Sequence, residues 1–217
     1  GGGGGGGGGE AGERGGWGGP GRRGTLGYRP GMTRRDHGGA PAPGGGALSV
    51  KVLTVSDGVV HGSREDRSGA ALVSLCGERG WHVVDTTVTS DGTDEVAATL
   101  RRLADGFHGL IVTTGGTGFG PRDQTPEGTL AVLDRQAPGL AEAMRLVNPL
   151  GRLSRGVAGT LGTSLIINTP GSARGCVECL EAVADVVPHA VRLMVDNADP
   201  HPSGEGSTPV AGGSGHG

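Results

Sequence analysis

The segment Leu110–Glu127 (LIVTTGGTGFGPRDQTPE) constrains the fold more than any other part of the chain. It begins with an apolar, β-branched run that is typical of a buried strand, and then enters a glycine-rich turn. Glycine tolerates positive φ, and the amides of such a turn can converge on a bound anion. Thr125 is predicted to cap the following helix, with Pro126 in its first turn and Glu127 near its positive end. A strand, an anion-binding turn and a helix start in this order indicate a phosphate-handling site.

Strand-length and helix-length patterns alternate along the middle of the chain. Strands are predicted at residues 48–55, 81–88, 109–114 and 164–168, and helices at 68–79, 93–105, 126–135, 139–147 and, with a kink at Pro188, at the end. This alternation predicts an α/β fold, a three-layer α/β/α sandwich with a mostly parallel sheet. Ligands of such sheets bind beyond the carboxyl ends of the strands. Polar residues that follow the predicted strands are expected at that edge, namely Asp57, Asp91, Asp123 and Asn168.

Glycine dominates both ends of the chain. Residues 1–46 are about half glycine and carry six arginines against three acidic residues. They contain too little apolar surface to offset a backbone ordering entropy of about 1–2 kcal/mol per residue. We therefore predict disordered tails at 1–46 and 201–217 around one folded domain at 47–200. The basic N-terminal arm is interpreted as a solvated linker, or as residues upstream of a start at Met32.

Composition also restricts the partners and the compartment. The chain has a net charge of −3 and the arm contributes +3, so the remainder carries −6. An acidic domain disfavours nucleic-acid binding, and no apolar run reaches the ~20 residues of a membrane span. Three cysteines do not make a disulfide framework, so a cytoplasmic protein without membrane or nucleic-acid partners is expected. Cys176 and Cys179 lack the second Cys or His pair of a zinc site and are predicted to pack in the core.

Two carboxylates are candidate functional acids. Asp123 follows the glycine turn and either satisfies nearby loop amides or is directed at a phosphate or its divalent cation, because Mg²⁺ favours carboxylate oxygens, phosphate oxygens and water. Asp91 is the natural second acid, although its Asp-Gly pair is also an ordinary turn signal. Ser154 and Arg155 form either an anion contact or a surface turn. The turn lacks the Gly-Lys-Ser/Thr of a P-loop and the distant acid of a dinucleotide fingerprint.

Taken together, these motifs resemble those of the MoaB/Mog family of molybdenum cofactor biosynthesis proteins. The resemblance extends from about Leu48 to Asn197 and is carried by residues 114–118, 121–127, 154–155 and 165–172. It implies an enzyme that uses Mg²⁺ and ATP to adenylate molybdopterin with release of pyrophosphate, or alternatively a non-catalytic molybdopterin-binding protein. It also implies a homotrimer or homohexamer whose product passes to a metal-insertion enzyme of the same pathway.

The resemblance assigns roles to individual residues. Asp91 and Asp123 match the functional acids of the family and are expected to act in catalysis and in Mg²⁺ binding. The ligand-contacting positions are Gly115, Gly116, Thr117 and Gly118 in the phosphate-binding turn, and Ser154, Asn168, Gly171 and Ser172 beyond it. Gly128 stands where the family usually has alanine, which costs about 1 kcal/mol of helix propensity. Residues 173–175 depart from the usual Pro-Lys-Ala.

Overall fold

The computed structural model describes Gly1 and residues 47–195 of the 217-residue chain. Apart from Gly1, the predicted tails at 1–46 and 201–217 lie outside the described residues. The strands are β1 (Ser49–Val55), β2 (His82–Thr89), β3 (Gly109–Thr114), β4 (Arg135–Gln136), β5 (Ala158–Leu161) and β6 (Ser164–Thr169). The helices are α1 (Asp57–Val60), α2 (Arg67–Glu78), α3 (Thr93–Ala104), α4 (Thr125–Leu130), α5 (Pro138–Arg145), α6 (Ala173–Glu181) and α7 (Val187–Leu193), with a 3-10 turn at Pro149–Leu153. Within the described part, no helix has both the length and the apolar character needed to cross a membrane.

One six-stranded sheet, ordered β2-β1-β3-β6-β5-β4, organises the domain. The first four strands in this order are parallel, whereas β5 runs antiparallel to β6 and β4 antiparallel to β5. Every residue of β3 and of β6 is buried, because helices cover both faces of the sheet. The predicted α/β fold with a mostly parallel sheet is confirmed.

Two separate apolar clusters define the three layers. On one face, Leu110 and Val112 of β3 pack with buried residues of α2, α5, α6 and α7. On the other face, Ile111 of β3 packs with Val96 and Leu100 of α3. Successive side chains of a strand point to opposite faces, so β3 contributes to both clusters.

Several predicted elements have different bounds in the structure. The helix expected at 126–135 ends at Leu130, because the Asp134 amide then donates to the Thr160 carbonyl at 2.8 Å and the chain enters β4. The short strands β4 and β5 were not predicted. Gln124, not Thr125, is the N-cap residue of α4, although Pro126 does lie in its first turn. The final helical pattern is interrupted before Val187, and Pro188 lies in the first turn of α7 rather than kinking one long helix.

All three cysteines of the chain are buried and free, as predicted for Cys176 and Cys179. Burial raises the pKa of the Cys76, Cys176 and Cys179 thiols to about 11. The C-x-x-C spacing therefore reflects packing on the inner face of α6. These thiols carry almost no thiolate at neutral pH, which is the reactive form.

The contact between α3 and α4 explains the unusual glycine at position 128. A Cβ on Gly128 would lie 2.7 Å from the Thr93 carbonyl oxygen and 2.7 Å from the Val96 Cβ. Glycine therefore allows the two helices to approach more closely than alanine would. This matters for the site, because α4 begins directly after the glycine-rich turn.

We predict that Gly128→Ala lowers the free energy of unfolding by about 1–3 kcal/mol, because overpacking outweighs the better helix propensity of alanine. Gly77→Ala is the matched control, since it lies in α2 and a Cβ there would meet no atom within 4 Å. We expect that control to stabilise the protein by about 0.5–1 kcal/mol. Urea denaturation measures both changes. A Gly128→Ala protein as stable as the unmodified chain would contradict the packing argument.

The thiol pKa values predict both reactivity and a pH dependence. At pH 8 the folded protein should react with a thiol-specific disulfide reagent far more slowly than the urea-unfolded chain. The folded state holds these protons more tightly than the unfolded state, so their stabilising contribution is full below pH 9 and declines as pH rises towards 11. Rapid labelling of the folded protein at pH 8 would be inconsistent with this burial.

Candidate active site

A cavity of about 1130 Å³ opens at the carboxyl ends of the parallel strands. It is bounded by the ends of β1 and β3, the glycine-rich turn, the start of α2 and the turn that follows β6. Four acidic side chains and two arginines are among its lining residues, namely Glu65, Asp66, Asp91, Asp123, Arg64 and Arg67. A polyanionic ligand would therefore need a cation to enter this cavity at low electrostatic cost.

The glycine-rich turn begins directly after β3 with two residues that have positive φ. Gly115 and Gly116 have φ of +104° and +62°, which residues with a Cβ rarely adopt. The Thr125 hydroxyl donates to the Gly115 carbonyl at 2.9 Å, and the Thr125 amide donates to the Gly116 carbonyl at 3.0 Å. Thr125 thus anchors the first half of the turn from the start of α4, which is why its hydroxyl does not cap that helix.

Arg155 anchors the second half of the turn. Its amide donates to the Thr117 carbonyl at 2.9 Å, and its Nε donates to the Gly118 carbonyl at 2.6 Å. The carbonyls of residues 115–118 are thus all occupied. No described protein atom accepts a hydrogen bond from the amides of residues 116–118, which line the cavity. These amides are free to bind an anion, as the turn chemistry predicts.

Asp91 and Asp123 line the same cavity and flank the turn. Asp123 Oδ2 accepts from the Gly120 amide at 2.7 Å and lies 2.9 Å from the position that a Cβ on Gly118 would take. Asp91 Oδ1 lies 3.2 Å from the corresponding position on Gly116. The structure therefore brings together the two acids that the sequence singled out, although they belong to loops that follow different strands.

A second network fixes the loop that carries Asp91. The Asp57 amide donates to Asp91 Oδ2 at 2.9 Å, and the Asp91 amide donates to Asp57 Oδ1 at 3.2 Å. Arg122 bridges both residues, with its Nε 2.7 Å from Asp57 Oδ2 and its Nη2 donating to the Asp91 carbonyl at 3.0 Å. Arg122 therefore forms its ion pair with Asp57 rather than with the adjacent Asp123. Asp91 Oδ2 therefore accepts a hydrogen bond that fixes the loop, whereas Asp91 Oδ1 faces the glycine-rich turn.

The cavity is suited to a cation that is coordinated by few protein side chains. Among residues 47–195, no three or more His, Cys, Asp or Glu side chains converge into a ready metal site. Mg²⁺ is commonly held by one or two carboxylates, with phosphate oxygens and waters completing its octahedron. Asp91 and Asp123 offer such a pair beside amides open to a phosphate. The donor set therefore fits Mg²⁺ bound together with a phosphate ligand.

The turn after β6 and the segment near Ser154 form the opposite wall. Ser172 caps α6, because its Oγ accepts from the Gly175 amide at 3.1 Å. A Cβ on Gly171 would lie 3.1 Å from the Gly115 Cα, so this glycine allows the two turns to pack closely. The Ser154 Oγ accepts from the Gly156 amide at 3.2 Å. Ser154, Gly171 and Ser172 all line the cavity.

Asn168 is the predicted site residue that the structure does not bring to the cavity. Its side chain is buried, and its Nδ2 donates to the hydroxyls of Thr113 and Thr129, each at 3.0 Å. Its Oδ1 accepts from the Val157 amide at 3.2 Å. Both polar atoms of its side chain are thus used between β6, β3, α4 and the chain entering β5, so in this structure Asn168 supports the site and does not line the cavity.

Two further residues shape the site: Asp66 is not among the predicted site residues, and the sequence left Arg155 open between an anion contact and a surface turn. Asp66 lines the cavity and caps α2, with Oδ1 accepting from the Gly69 amide at 2.8 Å and Oδ2 from the Thr54 hydroxyl at 2.7 Å. An acidic residue directly before a predicted helix is the sequence signal for such a cap. Arg155 is the other, and no local sequence signal reveals its partners.

Arg155 also binds the Glu127 carboxylate and the Asp123 carbonyl. Burial is the largest single influence on Glu127 and opposes its ionisation, but the hydrogen bond and the charge of Arg155, together with a backbone hydrogen bond, lower the pKa of this carboxyl. Glu127 is therefore ionised at neutral pH. The ion pair of Arg155 and Glu127 lies behind the glycine-rich turn, and Glu127 neutralises the charge of Arg155.

Comparison with known proteins finds relatives that match most of the described part of the chain. Molybdopterin adenylyltransferase of Helicobacter pylori J99 is 37% identical over 157 residues, which cover 69% of this chain and 89% of that protein. The structure of the molybdopterin biosynthesis enzyme MoaB from Thermus thermophilus matches with a TM-score of 0.65 and 45% identity, covering 68% of this chain and 96% of that one. The Mog protein of Mycobacterium ulcerans matches with a TM-score of 0.63 and 38% identity, covering 68% and 99%.

A larger relative contains the same module as one part of its length. The molybdenum cofactor synthesis protein cinnamon of Drosophila melanogaster is 36% identical over 157 residues, which cover 70% of this chain but only 26% of that protein. Residues 51–189 match the family described as a probable molybdopterin binding domain. This match includes most of β1, the glycine-rich turn, both acids and β6. The chain therefore belongs to the MoaB/Mog family of molybdenum cofactor biosynthesis proteins.

Proposed function

We propose that this protein adenylates molybdopterin, using ATP and Mg²⁺, and releases pyrophosphate. The observation that supports this most strongly is the presence of Asp91 and Asp123 beside the open amides of residues 116–118 in one cavity. Relatives named molybdopterin adenylyltransferase, at 37% identity, support the same activity. A protein that only bound the pterin would have no need for a carboxylate pair that repels the phosphate.

The reaction is a transfer between two phosphates. An oxygen of the terminal phosphate of molybdopterin attacks the α-phosphorus of ATP, and a new phosphorus–oxygen bond forms. The bond from the α-phosphorus to the oxygen bridging it to the β-phosphate breaks, and the leaving group departs as pyrophosphate with the bond electrons. Such transfers need positioning and charge compensation more than covalent catalysis by the protein.

The residues of the site have distinct parts in this proposal. The amides of residues 116–118 bind phosphate oxygens, and Asp91 and Asp123 hold Mg²⁺. When bound, this cation would neutralise charge on the phosphates in the transition state. Ser154 and Ser172 present hydroxyls to the pterin side, beside the close-packed Gly171. Asn168 contributes indirectly, by holding β6 against β3 beneath the turn.

We predict that Asp123→Asn retains the fold but lowers the rate of AMP transfer by about 100-fold or more, because the amide is a poor ligand for Mg²⁺. Pyrophosphate release and mass-spectrometric detection of adenylated molybdopterin measure this rate. Asp185→Asn is the control, since this exposed acid lies outside the cavity and should leave the rate unchanged.

The outcomes separate the two functions that the family resemblance leaves open. Equilibrium binding of molybdopterin without any pyrophosphate release by the unmodified protein would reject adenylation and support a binding protein. Full turnover by Asp123→Asn would reject the role of this acid while leaving the activity in place. Because a ligand raises the melting temperature of the state that binds it, thermal shifts measure binding independently of turnover.

We further propose that the protein forms a homotrimer or homohexamer in the cytoplasm and passes its product to a metal-insertion enzyme. Three leucines at the end of α5 and in the 3-10 turn support self-association. Leu146, Leu150 and Leu153 are 84%, 73% and 58% exposed. A cluster of exposed leucines is costly in water and marks an interaction surface. Leu150 and Leu153 also line the cavity, so a subunit on this surface would help enclose the site.

We predict that Leu146→Glu dissociates the oligomer into monomers, because an ionised carboxylate is not tolerated in an apolar interface. Leu146 does not line the cavity, so the change tests the surface without altering the site. Val84→Glu, on the solvent-facing side of β2, is the control and should leave the mass unchanged. Light scattering coupled to size exclusion gives the mass. An unmodified protein that is monomeric at micromolar concentration would overturn the proposed assembly.

A further inference from the structure

Arg155 connects three features of the candidate site without entering the cavity. Its neighbour Ser154 lines the cavity, as do Gly118 and Asp123, whereas Arg155 lies behind the turn against Phe119 and Glu127. We propose that Arg155 is a positioning residue, which holds the glycine-rich turn and the Asp123 carboxylate in their active arrangement. This inference rests on the proposed adenylation of molybdopterin.

The contacts of Arg155 form a clamp across the second half of the turn. Its Nε donates to the Gly118 carbonyl at 2.6 Å and its Nη2 to the Asp123 carbonyl. These carbonyls begin and end the segment 118–123, and no other described group donates to either of them. One planar guanidinium therefore sets the distance between the anion-binding amides and the acid. Lysine has a single ammonium and cannot reproduce this fork.

The charge of Arg155 is already compensated. Its Nη1 pairs with the Glu127 carboxylate, and the guanidinium carbon lies 5.9 Å from the centre of the Phe119 ring. Glu127 begins α4 together with Thr125, the residue that anchors the first half of the turn. The alternative role of Arg155 as a direct anion contact is therefore disfavoured. Its side chain faces protein carbonyls and a carboxylate, and not the cavity.

The position of Asp123 depends on this clamp. The Asp123 carboxylate accepts from the Gly120 amide at 2.7 Å, and the Asp123 amide donates back to the Gly120 carbonyl at 3.0 Å. These local bonds set the shape of the segment, but they do not connect it to the rest of the domain. Arg122 connects the segment to Asp57 and to the Asp91 carbonyl, and Arg155 binds the Asp123 carbonyl itself from a segment 32 residues further along the chain. Loss of Arg155 would remove the bonds to the Gly118 and Asp123 carbonyls and loosen the acid, while the Arg122 contacts and the sheet stay in place.

The test compares Arg155→Ala and Arg155→Lys with the control Arg152→Ala. Arg152 is exposed in the 3-10 turn and bonds only to the nearby Pro149 carbonyl. Hydrogen exchange of unliganded protein, followed by mass spectrometry, measures protection of the bonded amides of Gly120 and Asp123. We expect Arg155→Ala to accelerate exchange in this segment at least about 10-fold, with exchange in β1 and β3 unchanged. Arg155→Lys should be intermediate, and Arg152→Ala should match the unmodified chain.

Steady-state AMP transfer supplies a second measurement, the Mg²⁺ dependence of the rate. This dependence would not change if Arg155 only stabilised the fold. We expect Arg155→Ala to lower kcat about 10- to 100-fold and to raise the Mg²⁺ concentration for half-maximal rate several-fold. The KM for molybdopterin should change less than kcat does, because Ser154 is the one pterin-side residue next to Arg155, whereas Gly171 and Ser172 belong to another loop. A loss of active protein alone would lower the apparent kcat but leave the Mg²⁺ dependence unchanged.

The outcomes test the positioning role of Arg155 separately from the proposed adenylation activity. Local acceleration of exchange with a shifted Mg²⁺ dependence supports positioning. Unchanged exchange at residues 118–123, or acceleration spread evenly over residues 47–195 in both variants, overturns it. If Arg155→Ala fails to fold, Arg155→Lys decides by the same two measurements. If the unmodified protein transfers no AMP, the proposed function fails, while local exchange still shows whether Arg155 holds the turn.

Discussion

A turn that offers its amides to an anion must satisfy its own carbonyls elsewhere, because unpaired backbone groups are costly once a ligand excludes water. The carbonyls of residues 115–118 meet this condition through two residues, Thr125 and Arg155. Thr125 belongs to the helix that follows the turn, and Arg155 to a segment between α5 and β5. The amides of residues 116–118 remain available on the cavity side. The chemistry of the site depends on this division of donors and acceptors.

The electrostatic character of the cavity follows from the parallel sheet. Strands β1, β2 and β3 run in the same direction, so the loops that carry Asp57, Asp91 and Asp123 emerge at one edge. Backbone amides and Arg122 hold the first two carboxylates against each other in spite of their repulsion. The cost of gathering acids beside a phosphate-binding turn is offset when a divalent cation is bound with the phosphate. The arrangement therefore suits an anion that binds together with a cation better than a free anion.

The sequence predicted the parts of this structure that depend on local patterns. The apolar runs of β1, β3 and β6, the glycine-rich turn and the helix patterns at α2 and α3 are all local, and the structure contains them. Strands β4 and β5 were missed, because they are only two and four residues long and β4 pairs with β5 across the intervening helix α5. Asn168 was expected to face the ligand, but its pairing with Thr113 and Thr129 depends on strand register. Arg155 was left undecided between two roles, since its partners lie 28 to 37 residues away in sequence.

The strand order determines which part of the cavity forms last during folding. β3 lies between β1 and β6, and the turn after β6 closes the cavity against Gly115. Parallel pairing joins segments that are distant in sequence, and such pairing is slow to form. A chain still emerging from the ribosome has its glycine-rich turn long before Gly171 and Ser172 are available. Substrate can therefore assist only the last stage of folding, after β6 has been inserted beside β3.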